Sequence, residues 1–197
     1  AEAGMLPTLF STAFTEVTKV LDNGYAADIT KQMDKYGYSD KLNPIISELV
    51  SRDGKICGLP AFPYVLGLMY NVKLFEAAGL MEEDGTPKQP RDWDELAEFA
   101  AKIKQATGKA GFVFPTSNNN GGWIFTCFAW SYGVDFMKQS SDGKWKATFD
   151  SSEAAEALQF IKDLKWKYNV LPSNTLIDAN EQAKLYATGN AGMYIAS

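Results

Sequence analysis

Between Thr116 and Trp123 the chain reads TSNNNGGW, which sets three side-chain amides and two glycines ahead of an indole. Neutral amides both donate and accept hydrogen bonds, so Asn118, Asn119 and Asn120 suit a ligand rich in hydroxyls. An indole face offers the apolar side of a pyranose ring a surface to stack on. Gly121 and Gly122 would let such a ligand approach the backbone closely. The same residues also read as a helix cap ahead of a core tryptophan, and composition does not separate the two.

Two other stretches raise a similar choice. In PAFPYV, residues 60–65, Phe62 and Tyr64 alternate around Pro63 and either line a cleft or fill a gap between domains. In FSTAFT, Ser11, Thr12 and Thr15 follow a predicted strand, at the carboxyl end where open α/β sheets bind ligands. Capping of the next helix by Ser11 or Thr12 explains the same residues. DWDE, residues 92–95, has the spacing of a capping box around a core tryptophan rather than that of an acid/base pair. The acidic run Glu82, Glu83, Asp84 reads as solvated surface.

The chain has no histidine. That removes Ser/His/Asp and Cys/His nucleophiles, HExxH metalloproteases and most catalytic zinc sites. No GxGxxG or P-loop pattern occurs, so no nucleotide cofactor is expected, and neither a metal nor a catalytic residue is assigned. A glycan-cleaving enzyme would need a carboxylate pair, yet no acidic residue lies between Gly111 and Val134. With 19 basic against 24 acidic residues, a net charge of −5 and no basic stripe, a nucleic-acid partner is excluded as well.

These residues need elements to hold them. Residues 6–12 read as a strand, and Phe14, Val17 and Leu21 follow at helical spacing up to Gly24. A second amphipathic pattern covers 41–51, and RDGK at 52–55 is a turn. Pro60 and Pro63 break 56–71 into two short extended pieces, after which Asn71 caps a helix ending near Gly79. Residues 81–91 form a surface loop. Asp92 opens a helix with Trp93, Leu96, Ala97, Ala100 and Ile103 on one face, and 111–115 is a strand.

Residues 124–133 are apolar nearly all round and predict a buried helix, and 134–149 predict a hairpin. Asp150 is placed to cap a long helix whose inner side runs Ala154, Ala157, Leu158, Ile161, Leu164, Lys165, Tyr168. A helix over 179–188 and a strand over 190–197 complete the pattern. Strands alternating with helices predict an α/β fold with helices on a largely parallel sheet. The hydrophobic share of 46% supports a real core, and no run is apolar and long enough to span a bilayer. Cys57 and Cys127, 70 residues apart, read as ordinary buried thiols.

Taken in order, DGKICGLPAFPYVLGLMYNVKLFEAAGL, PRDWDELAEFAAKI, FDSSEAAEALQFIKDL and YATGNAGMYIAS resemble the carbohydrate-binding solute-binding proteins of ABC transporters, the maltose-binding-protein-like family. The resemblance covers nearly the whole chain. It implies a type II periplasmic-binding-protein-like fold, truncated at both ends. Residues 1–60 would be a partial N-terminal lobe, 61–70 the interlobe crossover and 71–197 most of the C-terminal lobe. It implies a non-enzymatic bacterial protein that binds a sugar or oligosaccharide between its lobes and delivers it to an ABC permease.

By this likeness Trp123 takes an aromatic stacking position, Tyr64 a polar contact in the crossover, and Thr12 and Thr15 contacts from the N-terminal lobe. Phe62, Asn119, Asn120 and Gly122 complete the ligand set. Tyr64 stands where the family example is acidic, and Thr12 is not aromatic, which leaves the identity of the sugar open. The fold type also serves polyamines and other small solutes, but a polyamine site would need several acidic residues beside its aromatics. The implied location is extracytoplasmic, in the periplasm or at the cell surface as a lipoprotein. The only membrane contact would be through the permease or a removed lipid anchor.

A chain lacking strands of both lobes exposes a sheet edge and apolar faces, so the isolated chain is expected to self-associate or exchange strands. Light scattering is expected to return a mass above that of one chain, and a clean monomer at high concentration removes the idea.

Overall fold

The computed structural model describes residues 7–62 and 64–197, which divide into two compact units, one ending at Tyr64 and the other spanning Val65–Ser197. In the first unit a 3-10 turn, Phe14–Glu16, leads into α1 (Val17–Asp22), and the chain leaves it through Gly24 at φ +66°. Helix α2 (Thr30–Lys35) escapes a periodicity reading because TKQMDK carries a single large apolar residue, Met33. Its start is fixed locally instead. Asp28 accepts hydrogen bonds from the Thr30 hydroxyl at 2.7 Å and the Thr30 N–H at 3.0 Å, which hold its carboxyl below the usual range.

Helix α3 (Pro44–Leu49) is capped by the Asn43 side chain, which accepts the Ile45 N–H. Strands β1 (Ser51–Arg52) and β2 (Lys55–Ile56) pair antiparallel around Asp53 at φ 51° and Gly54 at φ 72°, two left-handed residues as a tight hairpin requires. The core of this unit is small: Met33, Val50 and Ile56, with Ile29 and Leu42 against them. The strand expected over 6–12 is not found in 7–12, and Leu6 lies outside the described residues. A strand needs a ladder partner, and none of the described residues pairs with this segment.

The second unit opens with β3 (Gly67–Tyr70) and α4 (Val72–Ala77), capped by the Asn71 side chain as expected. Helix α5 (Trp93–Thr107) starts at Asp92, whose carboxylate accepts the Glu95 N–H at 2.8 Å, and ends at Gly108 with φ 70°. Glu95 reaches back to the Arg91 N–H at 2.7 Å, one residue before the cap, and to the Arg91 guanidinium at 3.0 Å. Then come β4 (Ala110–Val113), α6 (Asn120–Ser131), the hairpin of β5 (Met137–Gln139) and β6 (Trp145–Ala147), α7 (Ser152–Trp166), α8 (Ala179–Ala187) and β7 (Ala191–Ala196).

Several expectations need correction. Helix α6 begins at Asn120, so half of the asparagine motif lies in its first turn, and Trp130 is exposed rather than buried. Ser151, not Asp150, caps α7 by accepting the Ala154 N–H, and Phe160 rather than Leu158 faces the core. Cys57 and Cys127 are free and only partly buried. The sheet is mixed: β7 lies between β3, to which it is antiparallel, and β4, to which it is parallel. Strand–helix alternation does not fix the direction of β3, because more than a hundred residues separate it from its partner.

The core of this unit lies between the sheet and helices α5, α6 and α7. Phe128 is fully buried, 4.6 Å from Trp93, 5.5 Å from Phe114 and 6.0 Å from Phe160 by ring centroids. Helix α5 lies directly on β4: a Cβ on Gly111 would fall on the Ala100 backbone carbonyl, and one on Gly192 would come within 2.7 Å of Ile103 Cδ1. No helix among the described residues is long and apolar enough to cross a membrane.

Candidate functional site

Sheet register decides which chain ends can share a site. Gly67 at the start of β3 pairs with Ala196 at the end of β7, and Val113 at the end of β4 pairs with Tyr194. The entry to β3, the exit from β4 and the end of β7 therefore lie on one edge of the second unit. This is the carboxyl edge of the parallel pair, where open α/β sheets take ligands. The exit from β4 is the segment Phe114–Asn120, which carries the asparagine run.

That run has a backbone role as well as a chemical one. Asn118 and Asn119 adopt left-handed φ values of 55° and 63°, which asparagine tolerates better than other non-glycine residues. Asn119 occupies the position before the first turn of α6, yet its side chain makes no capping hydrogen bond. Among the described residues the amide groups of Asn118, Asn119 and Asn120 have no intramolecular partner. The capping alternative therefore does not account for them. The two glycines part company too. A Cβ on Gly121 would meet the Thr116 carbonyl oxygen at 2.9 Å, whereas one on Gly122 would meet nothing within 4 Å.

Trp123 is partly buried and packs against the main core, and its N–H donates to the Asn119 carbonyl at 3.3 Å. It is thus a core-anchored aromatic one turn from the amides. In the first unit Thr12 is exposed coil, Thr15 sits exposed in the 3-10 turn, and neither hydroxyl caps a helix. Tyr64 is exposed with its ring 6.4 Å from that of Phe14, which brings the turn carrying Thr15 and the end of this unit together. Phe62 is 88% exposed, and Pro63 lies outside the described residues.

The loop is held by the segment that follows α7. Thr116 and Ser117 donate their N–H groups to the Ile177 carbonyl at 2.9 and 3.0 Å, and the Thr116 hydroxyl donates to the Thr175 carbonyl. Lys165, out of place on the inner side of its helix by sequence, donates to the Thr175 hydroxyl at 3.0 Å. Beside Ser117 this arrangement leaves an open hollow of about 460 Å³, lined by Asn174, Leu176, Ile177, Asp178, Asn180, Glu181 and Lys184. Sequence reasoning missed it. Its wall is irregular backbone shaped by contacts sixty residues away, which no local pattern signals.

The asparagine segment is electrically quiet. Between Gly111 and Val134 the only titratable side chains are Cys127 and Tyr132. Burial raises both, with the Asp94 and Glu156 carboxylates adding to the effect at Tyr132, so both stay neutral at physiological pH. Among the described residues no group of three or more Cys, Asp or Glu side chains could hold a metal ion. What the arrangement offers is neutral hydrogen bonding beside an aromatic face.

Residues 7–197 match the family model of the bacterial extracellular solute-binding proteins. A binding protein of Brucella abortus is 30% identical over 146 residues, 74% of this chain and 33% of its own length. A T. maritima structure with maltose bound is 31% identical, with a TM-score of 0.68 over 86% of this chain and 41% of that one. A sugar transporter from Arthrobacter chlorophenolicus, solved with laminaribiose, covers all of this chain and 48% of its own with a TM-score of 0.77. At 20% identity that last likeness shows the fold alone. The chain spans a third to a half of the length of these relatives.

Proposed function

The chain belongs to the bacterial extracellular solute-binding proteins and has their type II periplasmic-binding-protein-like fold, and from this we propose that it supplies part of the binding cleft of a carbohydrate-specific, non-enzymatic importer component. The observation that carries the reading is the asparagine run. Three adjacent amides without intramolecular partners among the described residues stand at the carboxyl edge of the sheet, one turn from Trp123, with no ionisable acid in the segment. Buried or unpartnered amides discriminate strongly for a ligand that can pair with them, and a sugar hydroxyl does so without bringing charge. The T. maritima relative with maltose bound, above a quarter identical, supports the same class.

In this proposal residues 61–70 form the crossing between lobes, Trp123 stacks on a sugar ring, and Asn119, Asn120 and the backbone at Gly122 meet its hydroxyls. Tyr64 and Phe62 contribute from the crossing, and Thr12 and Thr15 from the N-terminal lobe. Ligand that contacts both lobes only when they close favours the closed state by its differential affinity, and the closed form delivers its sugar to an ABC permease. Exposed apolar residues of the first unit, among them Leu9, Ile45 and Leu59, support self-association of the isolated chain.

A thermal-shift panel tests the reading on this chain and on one spanning the full length of the relatives. Mono- and oligosaccharides are run beside polyamines, amino acids and metal ions. The expected result is a rise in the unfolding midpoint for a subset of neutral sugars, since a ligand at 100 times its Kd adds about 2.7 kcal/mol. A rise for polyamines or amino acids and for no sugar overturns the carbohydrate assignment and leaves the family standing.

A further inference from the structure

We infer that Asn120 is a self-modification site, whose side-chain amide converts to a carboxyl group in the folded protein through attack by the backbone nitrogen of Gly121. The chain contains two Asn-Gly pairs, Asn23 with Gly24 and Asn120 with Gly121. Such pairs are the most reactive asparagines in proteins, because glycine has no side chain to obstruct the approach of its nitrogen to the preceding amide.

The two pairs are held differently. At the first, Asn23 Nδ2 donates to the Lys19 carbonyl at 2.8 Å and the Gly24 N–H donates to the Leu21 carbonyl at 3.0 Å, so reaction requires both hydrogen bonds to break. At the second, neither group is engaged. Among the described residues the Asn120 amide and the Gly121 N–H have no hydrogen-bond partner, since Gly121 is the second residue of α6 and the first N–H groups of a helix have no carbonyl behind them. Both residues are only partly buried, so water reaches them.

The first turn of α6 is also poorly secured. Asn118 and Asn119 ahead of it are left-handed, Asn119 supplies no side-chain cap, and Gly121 and Gly122 are the weakest helix formers after proline. Fraying of that one turn lets the amide carbon meet the nitrogen. The reactive pair is kept in place by packing, because a Cβ at Gly121 would meet the Thr116 carbonyl oxygen at 2.9 Å.

In the reaction the Gly121 N–H gives its proton to hydroxide, its nitrogen bonds to Asn120 Cγ, and the Cγ–Nδ2 bond breaks with release of ammonia. The positive end of the α6 dipole favours the nitrogen anion that attacks. The cyclic imide then takes up one water. Opening at Cγ leaves aspartate, and opening at the backbone carbonyl leaves an isoaspartyl linkage whose main chain runs through the former side chain. One water is consumed, one ammonia is released and no electrons are transferred. Under the carbohydrate reading above, which this consequence rests on, the site loses the amide's two donor hydrogens and gains an acid where none lies between Gly111 and Val134.

Peptide mapping by mass spectrometry tests the inference on this chain, incubated folded and in urea at neutral and mildly alkaline pH. The peptide carrying Asn120 is expected to gain about 1 Da as the amide becomes an acid. In the folded protein it does so about tenfold faster than the peptide carrying Asn23, which two hydrogen bonds protect. In urea the two rates are expected to converge, and Asn120→Gln is expected to abolish the faster one. Equal rates in the folded protein, a gain that fragment ions place at Asn118 or Asn119, or one that survives in Asn120→Gln overturns the inference. None of these readouts involves a sugar, so they stand or fall apart from the carbohydrate reading. Asn120→Asp tests the consequence and is expected to bind the best sugar about tenfold more weakly. Unchanged affinity overturns that consequence and leaves the modification standing.

Discussion

Gly111→Ala is expected to lower the unfolding free energy of the second unit by about 3 kcal/mol or more. The reason is the partner in the collision. Most overpacking mutations push against the end of a side chain, which can rotate away. Here the added methyl falls on the backbone carbonyl of Ala100, in the middle of α5, with Ile103 and Leu96 buried on either side. Relief requires the whole helix to lift from β4, which would open space against Phe112 and Met193, both fully buried.

Gly122→Ala sharpens the comparison. Gly122 lies in the first turns of α6 with nothing near its missing side chain, so alanine there raises helix propensity and is expected to stabilise by up to about 1 kcal/mol. Two glycines eleven residues apart thus carry predictions of opposite sign. All five tryptophans lie beyond residue 64, so urea unfolding followed by tryptophan fluorescence reports the second unit alone. A Gly111→Ala midpoint equal to wild type would mean that α5 does not rest on β4 as described.

The pair also shows what the sequence could and could not disclose. Helix α5 was readable because its information is local: Asp92 to start it, Gly108 to stop it and an apolar face between. The turns at Asp53–Gly54 and Gly143, and the cap at Asn71, were readable for the same reason. Distinguishing Gly111 from Gly122 requires knowing that one faces a helix axis and the other open space, which no spacing encodes. The same limit misplaced the α7 cap by one residue, where Asp150 and Ser151 are both good caps and packing of Ala154 and Phe160 chose the register.

Errors at residues 7–12 and in the sheet direction have one cause. A strand is defined by its partner, and the partner of β3 is β7, at the far end of the chain. The candidate site divides along the same line. Its amides and indole stand in one segment and could be picked out by type. The left-handed backbone at Asn118 and Asn119 and the hollow beside Ser117 depend on how residues 170–177 fold against β4.

Trp123→Ala is expected to weaken binding of the best sugar about 100-fold, or about 2.8 kcal/mol. An aromatic face contributes both area and a fixed orientation, and Trp123 has the second because its inner part packs on the core while the residue remains only partly buried. That anchoring creates an ambiguity the experiment must break, since truncation removes packing as well as stacking. Trp123→Phe keeps most of the packing and a smaller aromatic face, and is expected to retain an unfolding midpoint near wild type while losing about tenfold in affinity. Asn119→Ala removes an exposed amide that has no hydrogen-bond partner among the described residues, so any affinity it loses belongs to the ligand. If Trp123→Ala lowers the midpoint of the free protein but leaves the affinity of the folded fraction unchanged, Trp123 is a core residue. The amides would then bind their sugar without a stacking partner from their own segment.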